Sequence, residues 1–204
     1  MADINSIKLD IPGWLLQQQT PQKIVWQNDI PDGLSVNFFA IPPDIPCALS
    51  ETERLHDFYS TMTAKSGARI VELSTVVVQG LNAIRFILKV PQPESGLTYL
   101  GSLTLPFKNC SYVIKVQCPE YGDTGMREAL VGDRILGEFI QNYGDVSKED
   151  IPKLAKEVAA RADEPRYDAQ FPGHPLSRLR RYLADIDQNV QVAPALHQLP
   201  EFIG

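Results

Sequence analysis

Ile7, Leu9 and Ile11 alternate with Lys8 and Asp10, the two-residue period of a strand buried on one face. Pro12-Gly13 ends it, and Trp14 follows as a bulky plug. A second apolar run, Lys23 to Gln27, lies between Pro21 and Asn28-Asp29. Pro31-Asp32-Gly33 then marks a turn into Leu34 to Ala40, where Leu34, Val36 and Phe38 share a face. The three prolines of 41–46 predict an extended crossover. Ser50 and Glu53 have the spacing of a capping box, and Leu55, Phe58, Tyr59 and Met62 follow at helical spacing until Gly67.

Four strand-like segments come next: Arg69 to Val78, Leu81 to Val90, Leu97 to Leu105, and Cys110 to Cys118. Gln79-Gly80 predicts a tight hairpin, and the other two links are also short, so neighbours run antiparallel. Beyond them, Val131, Ile135 and Phe139 mark a helix capped by Thr124 and running to about Asn142. A helix over Lys148 to Ala162 has a thin apolar stripe of Leu154 and Val158. The stretch 163–175, with three prolines, reads as a linker, and the last helix carries Leu176, Leu179, Leu183 and Ile186 on one face. Strands and helices are segregated rather than alternating. The fold class expected is therefore α+β, an antiparallel sheet flanked by helices, with a domain over 1–144 and a helical extension over 145–204.

Composition narrows the function classes. With 204 residues and a net charge of −6, the chain is long enough for a core without staples and lacks the basic excess of a general nucleic-acid binder. No stretch approaches the roughly 18 apolar residues of a membrane span. The start lacks a basic segment followed by an apolar run, which makes the cytoplasm the expected compartment. Cys110 and Cys118 flank one strand, roughly 26 Å apart at about 3.3 Å per residue, too far to pair, so buried free thiols are expected.

Candidate chemistry is sparse. Cys47 precedes His56 by nine positions, and a Cys/His hydrolase could use such a couple, but no oxyanion-forming loop is recognisable near it. His56, His174 and His197 are scattered, with no ligand spacing for a metal and no glycine-rich nucleotide loop, so neither metal nor cofactor is expected. Arg127 is out of place in the first turn of a helix, where a cation opposes the dipole. The group Arg178, Arg180 and Arg181 reads as a solvated helix flank, with Asp185 four positions after Arg181.

The order of elements over residues 1–142, opening with Ile11-Pro12-Gly13-Trp14, resembles the PsbP-like α/β/α sandwich shared by PsbP photosystem subunits, DcrB-like bacterial proteins and Ran-binding Mog proteins. That resemblance implies a non-enzymatic binding or assembly protein, and some DcrB-like relatives are chaperones for secreted bacterial effectors. The expected function is thus a bacterial cytoplasmic interaction module: a chaperone, an adaptor or an immunity-type partner of a secreted effector. A small-molecule or lipid binder is the alternative, and the Cys/His hydrolase a weaker one. A protein partner is expected, without nucleic acid or a membrane span, and a homodimer stays open.

The expected docking face is the side of the sheet bearing Arg85, Lys89 and Lys115. The loop and helix start at Tyr121, Asp123 and Arg127 complete the candidate partner-binding set.

Overall fold

Two-residue alternation and hairpin turns dominate the first two thirds of the chain, and a computed structural model describes residues 2–122 and 125–204. After a short 3-10 turn at Ile4–Ser6 come β1 (Ile7–Lys8), β2 (Leu15–Gln19), β3 (Lys23–Gln27) and β4 (Gly33–Phe39). Helix α1 (Thr52–Ala64) leads to β5 (Arg69–Val78), β6 (Leu81–Pro91), β7 (Leu97–Pro106) and β8 (Ser111–Pro119). Helices α2 (Met126–Tyr143), α3 (Ile151–Arg161) and α4 (Pro175–Asn189) follow, and β9 (Gln191–Val192) closes the described strands. Seven strands form one antiparallel sheet in the order β2-β3-β4-β8-β7-β6-β5, while β1 pairs with β9 apart from it. The α+β class stands as expected.

The β5–β6 link is a two-residue hairpin: Val78 faces Leu81, and Gln79 and Gly80 have φ of 49° and 78°. Both positions are left-handed, as a primed turn requires. The helix α1 starts differently from its expected capping box. Glu51 is the N-cap residue and makes no side-chain cap bond; its Oε1 instead accepts the Ala48 N–H at 3.0 Å.

Strand pairing sets the faces. Leu103 of β7 lies opposite Arg85 of β6 and Ile114 of β8, whereas Ser102 lies opposite Phe86 and Lys115. Directly paired residues point the same way, so Arg85 and Lys89 share the face of Tyr112, Ile114 and Val116, and Lys115 projects from the opposite one. The expected common face of Arg85, Lys89 and Lys115 is therefore corrected: a single strand's alternation does not say which face of its neighbour it joins.

A helix packs on each face. On one, α1 sets Leu55 and Tyr59 against Ile84 and Phe86, with Cys47 in the same layer. On the other, Leu176, Leu179, Leu183 and Ile186 of α4 join Leu103, Ile114 and Val116. Gly101 makes the second contact close. A Cβ there would lie 2.7 Å from Cδ2 of Leu179 and 2.9 Å from Cδ1 of Leu183, so any larger residue would force these two leucines of α4 to shift.

The core runs across the expected division at 144/145. Besides α4, residues 191–192 pair with the β1 strand, and Glu201 bridges to Phe107. Nor is the proline-bearing stretch 163–175 loose. Tyr167 is buried with Val131, Ile135, Leu154 and Ala162 in a smaller cluster that joins α2 to α3.

Candidate functional site

The charged residues of the expected docking set have different fates. Arg85 forms an ion pair with Asp187 of α4, and Lys89, 5% exposed, is 2.7 Å from Asp163. Arg127 is fully buried and spends its guanidinium inside the protein: Nε donates to the Ala162 carbonyl at 2.6 Å and Nη2 to that of Glu164 at 2.9 Å. Its Nη1 donates to Asp168 at 2.8 Å and to the Ser177 hydroxyl at 2.9 Å. The first-turn cation is thus a clamp holding α2 to the turn at 162–168 and to α4. Lys115 and Tyr121 are exposed, while Asp123 lies outside the described residues. No shared basic patch results among the described residues.

The arginines of α4 also turn inward, contrary to the expected solvated flank. Arg178 grips Asp32 with two hydrogen bonds of 2.9 and 2.8 Å, and Arg180 bonds Asp168 and the Asp163 carbonyl. Burial works against the Arg178 charge, but the Asp32 carboxylate outweighs it and its pKa is raised. Arg181 alone of the three is exposed, 5.7 Å over the Tyr182 ring.

Glu120, Glu128 and His174 bring two carboxylate oxygens and an imidazole nitrogen within 4.8 Å of one another. Nothing in their spacing along the chain announces this, because the fold brings together the end of β8, α2 and the start of α4. The donor types suit a divalent ion, yet the imidazole is already committed. Its Nδ1 accepts the Leu176 N–H at 3.2 Å, capping α4, which puts the neutral ring's proton on Nε2, 3.7 Å from Glu120. A metal on Nε2 would shift that proton to Nδ1 and destroy the cap, whereas metal-bound histidines ordinarily donate through their second nitrogen. Burial pushes the Glu120 carboxyl up, but His174 and the Leu97 and Gly125 amides hold its pKa below the usual range. The cluster ties the chain together at this corner.

Cys47 and His56 do not form a couple. Cys47 is 2% exposed beneath α1, while His56 points to solvent and meets the Ser60 hydroxyl at 3.3 Å. The other two thiols are also buried and free, and burial raises the pKa of both. Such thiols are poor nucleophiles at neutral pH.

One opening at the surface is lined almost wholly by apolar side chains. A cleft of about 630 Å³ lies between α2 and α3, lined by Gly132, Leu136, Ile140, Ile151, Leu154 and Val158. Along it Ile140, Ile151 and Tyr143 are from 47% to 78% exposed. The α2 sequence carries two apolar registers. Val131, Ile135 and Phe139 pack inward, and Leu136, Ile140 and Tyr143 form a second band with no cover among the described residues. That second band was the legible signal for the cleft, hidden behind the first.

No protein-family model matches the sequence, and no curated protein does. Among solved structures, the chain is similar to a Bacteroides thetaiotaomicron protein at 8% identity and a TM-score of 0.33. That likeness covers 75% of this chain and 65% of the other, so this chain spans a little under two thirds of its length. It is similar to cyanobacterial PsbP from Synechocystis at 15% identity and a TM-score of 0.37, over 64% of this chain and 80% of that one. A Pseudomonas aeruginosa protein of unknown function is similar at 10% identity and a TM-score of 0.34, over 67% and 97%. Among the described residues, no helix is long and apolar enough to cross a membrane.

Proposed function

We propose that this chain is a non-enzymatic protein-interaction module that seats an amphipathic helix of a partner in the α2–α3 cleft. The observation that carries the reading is the uncovered apolar band of α2 facing α3, a surface suited to helix-in-groove recognition. Exposed apolar patches of this kind mark interaction sites on soluble proteins. The net charge of −6 favours an occupant whose polar face is basic. A bacterial cytoplasmic chaperone, adaptor or immunity-type partner of a secreted effector is the form this activity takes in our reading.

A fluorescent amphipathic peptide of leucine and lysine tests it by anisotropy. Saturable binding is expected, weakened about tenfold or more, some 1.4 kcal/mol, by Leu136→Glu with Ile151→Glu. A leucine and glutamate peptide of the same pattern should bind far less. Equal binding by the variant, or none by the parent, overturns the assignment.

A further inference from the structure

The Pro-Gly-Trp opening that the sequence singles out plays no part in the α2–α3 cleft. Gly13, at φ of 82°, turns the chain there, and the Trp14 N–H donates to the Ile11 carbonyl at 3.2 Å. The turn delivers the Trp14 ring against α4, edge to face with Tyr182 at 5.2 Å and 76°. Beside the two rings is a cavity of about 230 Å³, whose lining includes Asp10, Pro12, Trp14, Tyr182, Asp185 and Asn189. Leu34 and Ile186 complete its apolar floor.

The aromatic wall is set before any ligand arrives. The Tyr182 hydroxyl donates to Asp32 at 3.1 Å and accepts from the Asn28 amide at 3.0 Å, and Asp32 is itself held by Arg178. Two carboxylates, Asp10 and Asp185, face the same space, and neither forms an ion pair among the described residues. No lysine or arginine lines the cavity, and Arg181, over the Tyr182 ring, is not in its wall.

From these features we infer that the cavity binds a small methylated ammonium compound. Aromatic faces and carboxylates both attract positive charge, and the apolar floor rewards methyl groups. A small inorganic cation keeps its water and gains little from such walls, and the lining offers no histidine or cysteine to a transition metal. A neutral ligand of the same shape would leave the two carboxylates without a counter-charge. The site lies apart from the α2–α3 cleft and stands or falls separately from it.

The chain has two tryptophans, so the indole N–H signals of Trp14 and Trp26 in a proton–nitrogen correlation spectrum give a probe and an internal control. Titration with choline at physiological ionic strength should shift the Trp14 signal saturably and leave Trp26 nearly fixed. The neutral isostere 3,3-dimethylbutanol should bind at least tenfold more weakly. Asp185→Asn, at an exposed position, should weaken choline about tenfold while the remaining spectrum is kept. Sodium chloride at the same concentration should not reproduce the shift. A Trp14 signal that ignores choline, or that answers the isostere equally, overturns the assignment; the second result would leave only a generic apolar pocket.

Discussion

Arg178 on α4 holds the carboxylate of Asp32, 146 positions earlier in the chain, and their side chains are 8% and 0% exposed. The pair fixes the turn before β4 to the last long helix, and through Tyr182 it also sets the wall of the aromatic cavity. Breaking such a pair leaves one charge buried without a partner, which costs more than the pair itself contributes. Asp32→Ala should therefore destabilise the protein by about 3–5 kcal/mol, read from urea unfolding. Replacing both partners together, Asp32→Leu with Arg178→Met, should recover much of that loss. A loss below about 1 kcal/mol for Asp32→Ala would show that water reaches the pair.

The two faces of the sheet separate two charge reversals. Arg85→Glu sets a carboxylate against Asp187, and both native side chains are less than 30% exposed, at 22% and 25%. A loss of about 1–3 kcal/mol is expected. Lys115→Glu, on the other face and exposed, should move stability by about 0.5 kcal/mol or less. Urea midpoints of the two single variants decide it, and equal effects would contradict the strand register.

Glu120 supplies a pH dependence. Its folded-state pKa lies below the reference value of 4.5, with burial opposing the shift and the contacts with His174, Leu97 and Gly125 producing it. The carboxylate's contribution is thus fully present above about pH 4.5 and is lost as pH falls through the depressed folded value. Glu120→Gln should destabilise at neutral pH, and the gap to the parent protein should close in acid. Paired urea titrations at about pH 7 and about pH 3 measure that gap; a gap that stays constant would remove the linkage.

The elements whose residues alternate were legible in the sequence: β3, β4 and the run β5 to β8, with the Gln79-Gly80 hairpin among them. The β2 strand was not, because all five of its residues are exposed at the sheet edge and Gln17 to Gln19 carry no alternation. Two-residue β9 has no pattern of its own and exists through its pairing with Ile7 and Lys8. The stripe on α4 was visible, but not what it covers. The same gap explains Arg127, whose partners include the main-chain oxygens of Ala162 and Glu164, groups that every sequence possesses. Of the candidate site, the α2 band was written in the residues. The meeting of Trp14 with Tyr182 was not, since it depends on how α4 crosses the sheet.

That crossing has a consequence for how the chain is made. Synthesis proceeds from the amino terminus, so β4 and β6 to β8 leave the ribosome before α4 exists. Until then Tyr112, Ile114 and Val116 present bare apolar surface, and the β1 segment waits for its β9 partner. The sandwich closes only once α4 has emerged, and every nascent chain passes through an interval with one open greasy face. Until that helix docks, the uncovered strands are the surface on which misassembly competes with folding.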